Sequence, residues 1–207
     1  MYLSKLRLDM HSKCARNCIR NCQDMHRSIQ QLFHSTRQES GVLYRFNPQK
    51  LDIYVLSKIE PDTEVDMTKT GMILLGVRDL SKMEQNFSAG QYYRFDLLAE
   101  PSKKQPKDGH KNSQRRFLRT VEERTQWLQR KSLQSGFELL QAQEELQILV
   151  AGEHDDEHGG KMKSQAVRFQ GILRIQDKEL FHKAWSLGIG PGKSYGQGML
   201  MLRAFSN

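Results

Sequence analysis

The sequence predicts an α+β protein in which the order strand–helix–strand–strand–helix–strand occurs twice. Two observations carry this prediction. Strand-like runs alternate with runs of helical spacing, and the same order appears on both sides of a basic, polar segment. The 207 residues are enough for one large domain or two small ones. We therefore predict an N-terminal domain at residues 1–99, a basic linker at 100–112 and a C-terminal domain at 113–207.

The first predicted unit opens with a strand at Tyr2–Leu8. A helix follows at residues 17–33, where Met25, Ile29 and Leu32 have a loosely helical spacing. Asn47-Pro48 signals a turn between the next two strands. The other predicted elements are strands at 42–46, 53–56, 72–77 and 92–98 and a short helix at 80–86.

The second predicted unit repeats this order after the basic segment. Its first helix has Val121, Trp127, Leu128 and Leu133 as inward-facing candidates. Two such units in sequence suggest a tandem ferredoxin-like (RRM-like) architecture, and one use of these sheets is RNA recognition. The predicted elements are strands at 117–118, 137–140, 146–150, 167–175 and 199–202, helices at 121–133 and 177–187, and a polar hairpin arm at 152–163.

A glycine-rich loop at residues 188–198, with the sequence GIGPGKSYGQG, precedes the last predicted strand. Five glycines around Lys193 permit positive φ angles and close backbone approach, so several backbone N–H groups can converge on an anion such as phosphate. A P-loop is excluded, because that motif runs from strand to helix, whereas this loop runs from helix to strand. A flexible turn explains the glycine content equally well.

Charge also favours a polyanionic partner. The chain has a formal charge of +8 and a pI near 9.4, and the excess is concentrated in seven basic residues between positions 102 and 119. Side chains that reach phosphates strengthen binding through counterion release, although such runs are often only solvated linkers. The sequence has no run of about 20 apolar residues that would span a membrane, and we expect a cytoplasmic protein.

Cys14, Cys18 and Cys22 precede His26 at intervals of four residues, which raises the alternatives of a metal site and a thiol nucleophile. On one helix, residues eight positions apart are separated by a rise of about 12 Å, whereas zinc ligands lie about 2.0–2.3 Å from the ion. Three of these groups therefore cannot share an ion. A Cys22–His26 pair is sterically allowed but lacks a glycine-framed oxyanion site nearby in sequence. We favour reduced cytoplasmic cysteines.

Six segments of the chain stand out together, at residues 2–5, 25–27, 127–131, 167–171, 188–194 and 196–198. In this order they resemble the CasE family of CRISPR repeat-RNA endonucleases from the type I-E Cascade system. The resemblance implies a tandem ferredoxin-like protein that binds a repeat stem-loop, cuts at the base of the stem without a metal or other cofactor, and stays bound beside other Cascade subunits.

Metal-free RNA cleavage uses the substrate 2′-OH as nucleophile, so the protein must move protons and stabilise charge on phosphorus. His26 suits this work because both of its protonation states are available near neutral pH. Gln23 is the second catalytic candidate, because it stands where some relatives have a catalytic tyrosine. Its amide can orient a ribose or phosphate oxygen but cannot usefully exchange a proton. The expected RNA-binding residues are Arg27, Lys103, Lys104, Lys107, Lys111, Arg115, Arg116, Arg119, Lys161, Lys163, Gly190, Gly192, Lys193, Ser194 and Gly196.

Three alternatives remain open at this stage. His34 competes with His26 as the catalytic histidine, since we predict both on one helix. The tip of the hairpin arm is acidic where some relatives are basic, which suggests either a divalent-ion site with His154 and His158 or, as we favour, a solvated turn. Gln23 finally leaves room for a non-cleaving RNA-binding scaffold subunit.

Overall fold

The computed structural model describes residues 1–105, 114–153 and 161–205. Two four-stranded antiparallel sheets form its framework. The first sheet contains β1 (Tyr2–Leu8), β2 (Leu43–Asn47), β3 (Asp52–Ser57) and β4 (Met72–Asp79). Its strand order is β2-β3-β1-β4, so the last strand of the unit lies beside the first and the third lies between the first and the second.

The helices of the first unit differ from the single helix predicted at residues 17–33. The chain breaks at Asn21, whose backbone is extended, with φ −134° and ψ 113°. The Asn21 side-chain oxygen accepts a hydrogen bond from the Gln23 backbone N–H at 3.0 Å, and asparagine is favoured at such N-cap positions. The helices are α1 (Lys13–Arg20), α2 (Cys22–Gln30), α3 (Arg37–Ser40) and α4 (Met67–Thr70).

Part of the predicted basic linker is a two-stranded ribbon. After α5 (Ser81–Gln85) and β5 (Tyr92–Ala99), the chain forms β6 (Ser102–Gln105), which pairs antiparallel with β7 (Gln114–Phe117). The cross-strand partners are Lys103 with Arg116 and Lys104 with Arg115. Since side chains alternate along a strand, these two basic pairs lie on opposite faces of the ribbon.

The second sheet contains β5, β8 (Phe137–Glu153), β9 (Lys161–Ile175) and β10 (Leu200–Ala204) in the order β10-β5-β9-β8. It repeats the topology of the first sheet. Its opening strand is β5 and not the strand predicted at 117–118. β5 precedes the boundary predicted at residue 99, yet Phe95 and Leu97 are buried in the core of the second unit.

Strand β8 is continuous through the region where two strands were predicted at 137–140 and 146–150. Its pairing with β9 shifts register between Leu139 and Gln141 and again between Glu144 and Leu146. Such irregularities bend a strand without ending it, which explains why the sequence pattern is interrupted there. β9 likewise begins at Lys161, six residues before the strand predicted at 167–175.

Helices α6 (Val121–Gln134) and α7 (Lys178–Leu187) cover one face of the second sheet. Trp127 and Leu128 are buried as predicted, but Val121 and Leu133 are 55% and 71% exposed. At about 100° per residue, Leu133 lies about 140° around the helix from Leu128, and Val121 is the first residue of the helix. No helix in the described part of the chain is long and apolar enough to cross a membrane.

Candidate active site

The glycine-rich loop has the backbone that its sequence predicts. All five glycines have positive φ, between 77° and 84°. A short 3₁₀ turn, Lys193–Tyr195, lies between them. At Gly192 a Cβ atom would lie 2.1 Å from the Gln197 side-chain oxygen, so any side chain there would displace Gln197. The loop is therefore a packed structure rather than a flexible turn.

Tyr44 connects this loop to the start of α2. Its hydroxyl lies 3.1 Å from the carbonyl oxygen of Ser194 and 3.3 Å from that of Cys22, within hydrogen-bonding distance of both. The ring is only 2% exposed, and a Cβ on Gly196 would approach it to 2.9 Å. Sequence reasoning treated Tyr44 only as part of a strand, because its partners are far away along the chain.

His26 is part of α2, and its ring lies beside that of Tyr44 on β2. The two rings are stacked, with centroids 6.4 Å apart and planes inclined by 17°. Among the described residues, no group forms a hydrogen bond with the buried Nδ1 atom of His26. Burial, and to a lesser extent the charge of Arg37, lower the pKa of His26 below its usual 6.5. The imidazole of the free protein is therefore mainly neutral at pH 7 and can accept a proton.

Arg37 is a functional candidate that sequence reasoning missed. It is the first residue of α3, and its side chain is exposed. Its charge lowers the pKa of His26 and that of Lys193, for which burial is the larger cause. Arg37 thus lies close to both the candidate base and the loop cation. No motif marks it, because the turn after α2 brings it back toward the helix.

Gln23 and Arg27 lie on the same helix as His26. Arg27 is half-exposed, and its Nη1 atom lies 3.2 Å from Asp24 Oδ1. Its Nη2 atom donates to the Gln23 side-chain oxygen at 3.5 Å. The Gln23 side-chain oxygen is therefore engaged with Arg27.

A phenolic hydroxyl does occur at the junction of loop and helix. Tyr195, the last residue of the 3₁₀ turn, is partly buried. Burial raises its pKa most, and the neighbouring Cys22 thiol raises it further. The hydroxyl therefore stays protonated at neutral pH and remains a hydrogen-bond donor.

A basic groove of about 460 Å³ extends from the glycine-rich loop to the ribbon. Trp127, Gly188, Gly190 and Pro191 line it without charge. We call it the basic groove and define it by its five cations, which come from β6, β7, α6 and the loop. They are Lys104, Arg115, Arg130, Lys131 and Lys193. Arg130 and Lys131 supported the family resemblance but were not predicted to bind RNA.

The other predicted basic residues are not gathered in this groove. Arg116 and Arg119 line a separate depression with Phe117 and Gln165, and Lys103 Nζ lies 3.7 Å from Glu123 Oε1. The five residues of the basic run that the structure describes are therefore divided between faces. Lys161 and Lys163 lie at the start of β9, where they pair with Glu153 and Ala151 of β8. Their side chains are not among those that the structure describes, and Lys107 and Lys111 lie outside the described residues altogether.

A buried hydrogen-bond network connects three of these segments. Gln197 is fully buried, and its Nε2 atom donates to Ser164 Oγ at 2.9 Å. Ser164 Oγ in turn donates to the Glu100 carboxylate, two residues before the ribbon. The network therefore joins the loop, the start of β9 and the ribbon at one point.

The alternative catalytic groups fit less well. Burial raises the pKa of the Cys22 thiol to about 11, so the thiolate of a nucleophile pair is disfavoured. His34 lies beyond the end of α2, contrary to the prediction of a shared helix, and its Nε2 atom is 2.6 Å from Asp62 Oδ2.

In residues 1–105, 114–153 and 161–205, no three His, Cys, Asp or Glu side chains form a metal-binding group. His154 and His158 lie outside these ranges.

Comparison with known proteins identifies the family. The family model for CRISPR-associated proteins matches residues 1–204. The CRISPR-associated endoribonuclease Cse3 of Thermus thermophilus is 30% identical over 211 residues, which cover 97% of this chain and 98% of the relative. The chain is a member of the CRISPR-associated protein family, and the resemblance to CasE, another name for Cse3, is confirmed.

Solved structures confirm the tandem ferredoxin-like fold. Thermus thermophilus Cse3, bound to an RNA representing a pre-cleavage complex, has a TM-score of 0.82 and 26% identity, with 98% of each chain covered. A chain of a CRISPR RNA-guided surveillance complex, in a pre-nicking state, has a TM-score of 0.75 and 25% identity, with 99% of this chain and 100% of that chain covered.

The influence of Arg37 on His26 gives a testable prediction. Arg37→Gln removes a nearby positive charge, so the pKa of His26 should rise toward its usual value. Histidine ring signals followed by NMR across the pH range would measure the shift, and comparison with His26→Gln would assign the signal. Arg78→Gln, which neutralises an exposed cation on β4, should leave the pKa unchanged. An unchanged or lowered pKa in Arg37→Gln would contradict the assigned geometry.

Proposed function

We propose that this protein is a metal-independent endoribonuclease. It binds the stem-loop of a CRISPR repeat, cleaves the precursor by attack of the 2′-OH to give a 2′,3′-cyclic phosphate, and remains bound to the product as a subunit of the Cascade surveillance complex. The observation that carries the proposal is the buried Nδ1 of His26, which has no hydrogen-bond partner among the described residues and lies near Arg37, whose charge also acts on Lys193 of the basic groove. Such a protein meets its transcript in the cytoplasm.

His26 acts first as general base in this mechanism. Its lowered pKa favours the neutral imidazole, which takes the proton from the 2′-OH as that oxygen attacks the phosphorus. The P–O5′ bond then breaks, and the imidazolium of His26 gives its proton to the departing 5′-oxygen, which restores the neutral imidazole. Arg37 and Lys193 stabilise the negative charge that builds up on the phosphoryl oxygens, since cations placed where charge develops lower the barrier.

The basic groove binds the stem. Its cations contact backbone phosphates, and the glycine-rich loop allows its backbone to approach them closely. The relative bound to a pre-cleavage RNA and the relative within a surveillance complex support an RNA substrate and a place beside other subunits. A non-cleaving scaffold is the alternative, favoured by the engagement of Gln23 with Arg27.

Cleavage of the cognate repeat RNA in excess chelator tests the mechanism. We expect cutting to persist and to leave a 2′,3′-cyclic phosphate, because the nucleophile belongs to the substrate. An RNA with 2′-deoxyribose at the scissile nucleotide should bind with nearly unchanged affinity and remain intact. Dependence on added magnesium or a 3′-hydroxyl product would contradict the mechanism. Tight binding of the all-ribose RNA without cleavage would support the scaffold.

A further inference from the structure

The open face of the second sheet is a concave surface that the proposed mechanism does not use. α6 and α7 cover one face of this sheet, where Phe95 and Leu97 are buried. Because side chains alternate along β5, Arg94 and Asp96 point to the other face. A depression of about 1020 Å³ lies over that face, lined in part by Arg94, Asp96, Gln143, Gln170 and Arg203. We call it the concave face.

Two arginines on the concave face lie directly opposite each other. Arg94 of β5 is the cross-strand partner of Arg203 of β10, and both are exposed. Like charges at such positions destabilise a sheet. Within the described residues, neither arginine forms an ion pair. Arg94 instead lies over the Phe205 ring, with its guanidinium carbon 5.4 Å from the ring centroid.

The neighbouring arginines behave differently. Arg174 donates to Glu138 through both Nε and Nη2, at 3.1 and 2.6 Å. Arg168 contacts both Asp96 and Glu145. Among the described arginines of β5, β9 and β10 on this face, Arg94 and Arg203 are therefore the two whose charge is not compensated.

Asp96 does not neutralise that charge. It accepts hydrogen bonds from Arg168, from Gln170 at 2.8 Å, and from Arg45 of the first sheet at 2.9 Å. Its hydrogen-bonding capacity is thus largely occupied by groups other than Arg94. The exposed Gln143 and the partly buried Gln170 add amide groups beside the arginine pair. The concave face thus presents positive charge, an aromatic ring and polar hydrogen-bonding groups together.

We propose that the concave face binds a single-stranded segment of the RNA, with Arg94 and Arg203 contacting phosphates and Phe205 contacting a base. Sheets of this topology can bind unpaired bases through aromatic side chains, and cations beside such rings follow the backbone. The basic groove lies on the α6 side of the same sheet, so a stem held there leaves the concave face free. A flexible single strand leaving the stem can pass around the sheet edge to reach it.

This proposal rests on the proposed function, because the strand belongs to the same transcript as the stem. The test compares three RNAs, each with 2′-deoxyribose at the scissile position so that none is cut. They are the stem-loop alone, the stem-loop with a single-stranded 5′ extension, and the stem-loop with a 3′ extension. Binding to the parental protein is measured at several salt concentrations.

The double variant Arg94→Gln/Arg203→Gln should bind the stem-loop alone as the parental protein does. One extension should increase parental affinity, and the double variant should lose that increase. Its slope of log K against log salt for the extended RNA should fall by about 0.7 for each phosphate that the variant no longer neutralises. Arg174→Gln is the matched control, because it removes a paired arginine from the same face and should retain the full increase.

Three outcomes would overturn the proposal. The first is that neither extension increases the affinity of the parental protein. The second is that the double variant weakens binding of the stem-loop alone as much as binding of the extended RNA, and the third is that Arg174→Gln loses the increase as the double variant does. If the extensions have no effect but the double variant fails to enter the assembled surveillance complex, the concave face binds a protein subunit instead. Failure of the parental protein to bind the stem-loop at all would count against the proposed function and not specifically against this site.

Discussion

Replacing His26 with alanine should slow cleavage of pre-bound repeat RNA by about 10²–10⁴-fold, because a positioned general base typically contributes that much. The affinity for the stem-loop should change little. His26 lies against Tyr44 and is not among the residues that line the basic groove, whose cations come from other elements. Single-turnover rates with saturating protein, together with the dissociation constant for an uncleavable RNA, separate the two effects.

His34→Ala is the matched control. It removes an imidazole that lies beyond α2 and contacts Asp62, so its cleavage rate should remain close to that of the parental protein. A parental rate in His26→Ala would contradict the assignment of the base. A large loss in His34→Ala alone would transfer the role to that residue.

Neutralising three cations of the basic groove, two on the ribbon and one on α6, should have the largest effect on affinity. We expect the triple variant Lys104→Gln/Arg115→Gln/Lys131→Gln to weaken stem-loop binding by on the order of 10²-fold near 0.15 M salt, because the salt slope falls by about 0.7–0.9 for each phosphate that is left without its cation. The cleavage rate of RNA that is already bound should change little. Titrations at several salt concentrations give both the affinity and the slope.

A second triple variant on the other face provides the comparison. Lys103→Gln/Arg116→Gln/Arg119→Gln removes the same charge from the same region, but these side chains lie away from the groove. It should weaken binding much less. Equal losses in the two variants would mean that the basic run acts as diffuse charge, and no loss in either would make it a solvated linker.

Local signals in the sequence identified the parts of the site that depend on short segments. The glycine spacing at 188–198 predicted positive φ angles, which the structure confirms. The alternation of apolar residues predicted most strands to within a few residues. These features are readable because glycine conformation and strand alternation depend on a residue and its near neighbours.

The predictions of secondary structure were wrong where a single residue or a register shift changed the local pattern. Asn21 divides the predicted helix because its side chain satisfies the backbone of the next helix, a choice that helical spacing does not reveal. β8 was predicted as two strands because register shifts move its side chains from one face to the other. Both corrections depend on hydrogen bonds that a periodicity argument does not contain.

The sequence by itself determined the tandem ferredoxin-like fold, the family and the candidate base His26. The tertiary structure decided which residues surround that base. Tyr44 meets Ser194 across 150 positions of the chain, and the charge of Arg37 reaches both His26 and Lys193. The tertiary structure also placed β5 in the second sheet, and it put the two basic pairs of the ribbon on opposite faces. These relations depend on how strands pair and how a ribbon turns, so they arise from contacts between distant segments that no local pattern encodes.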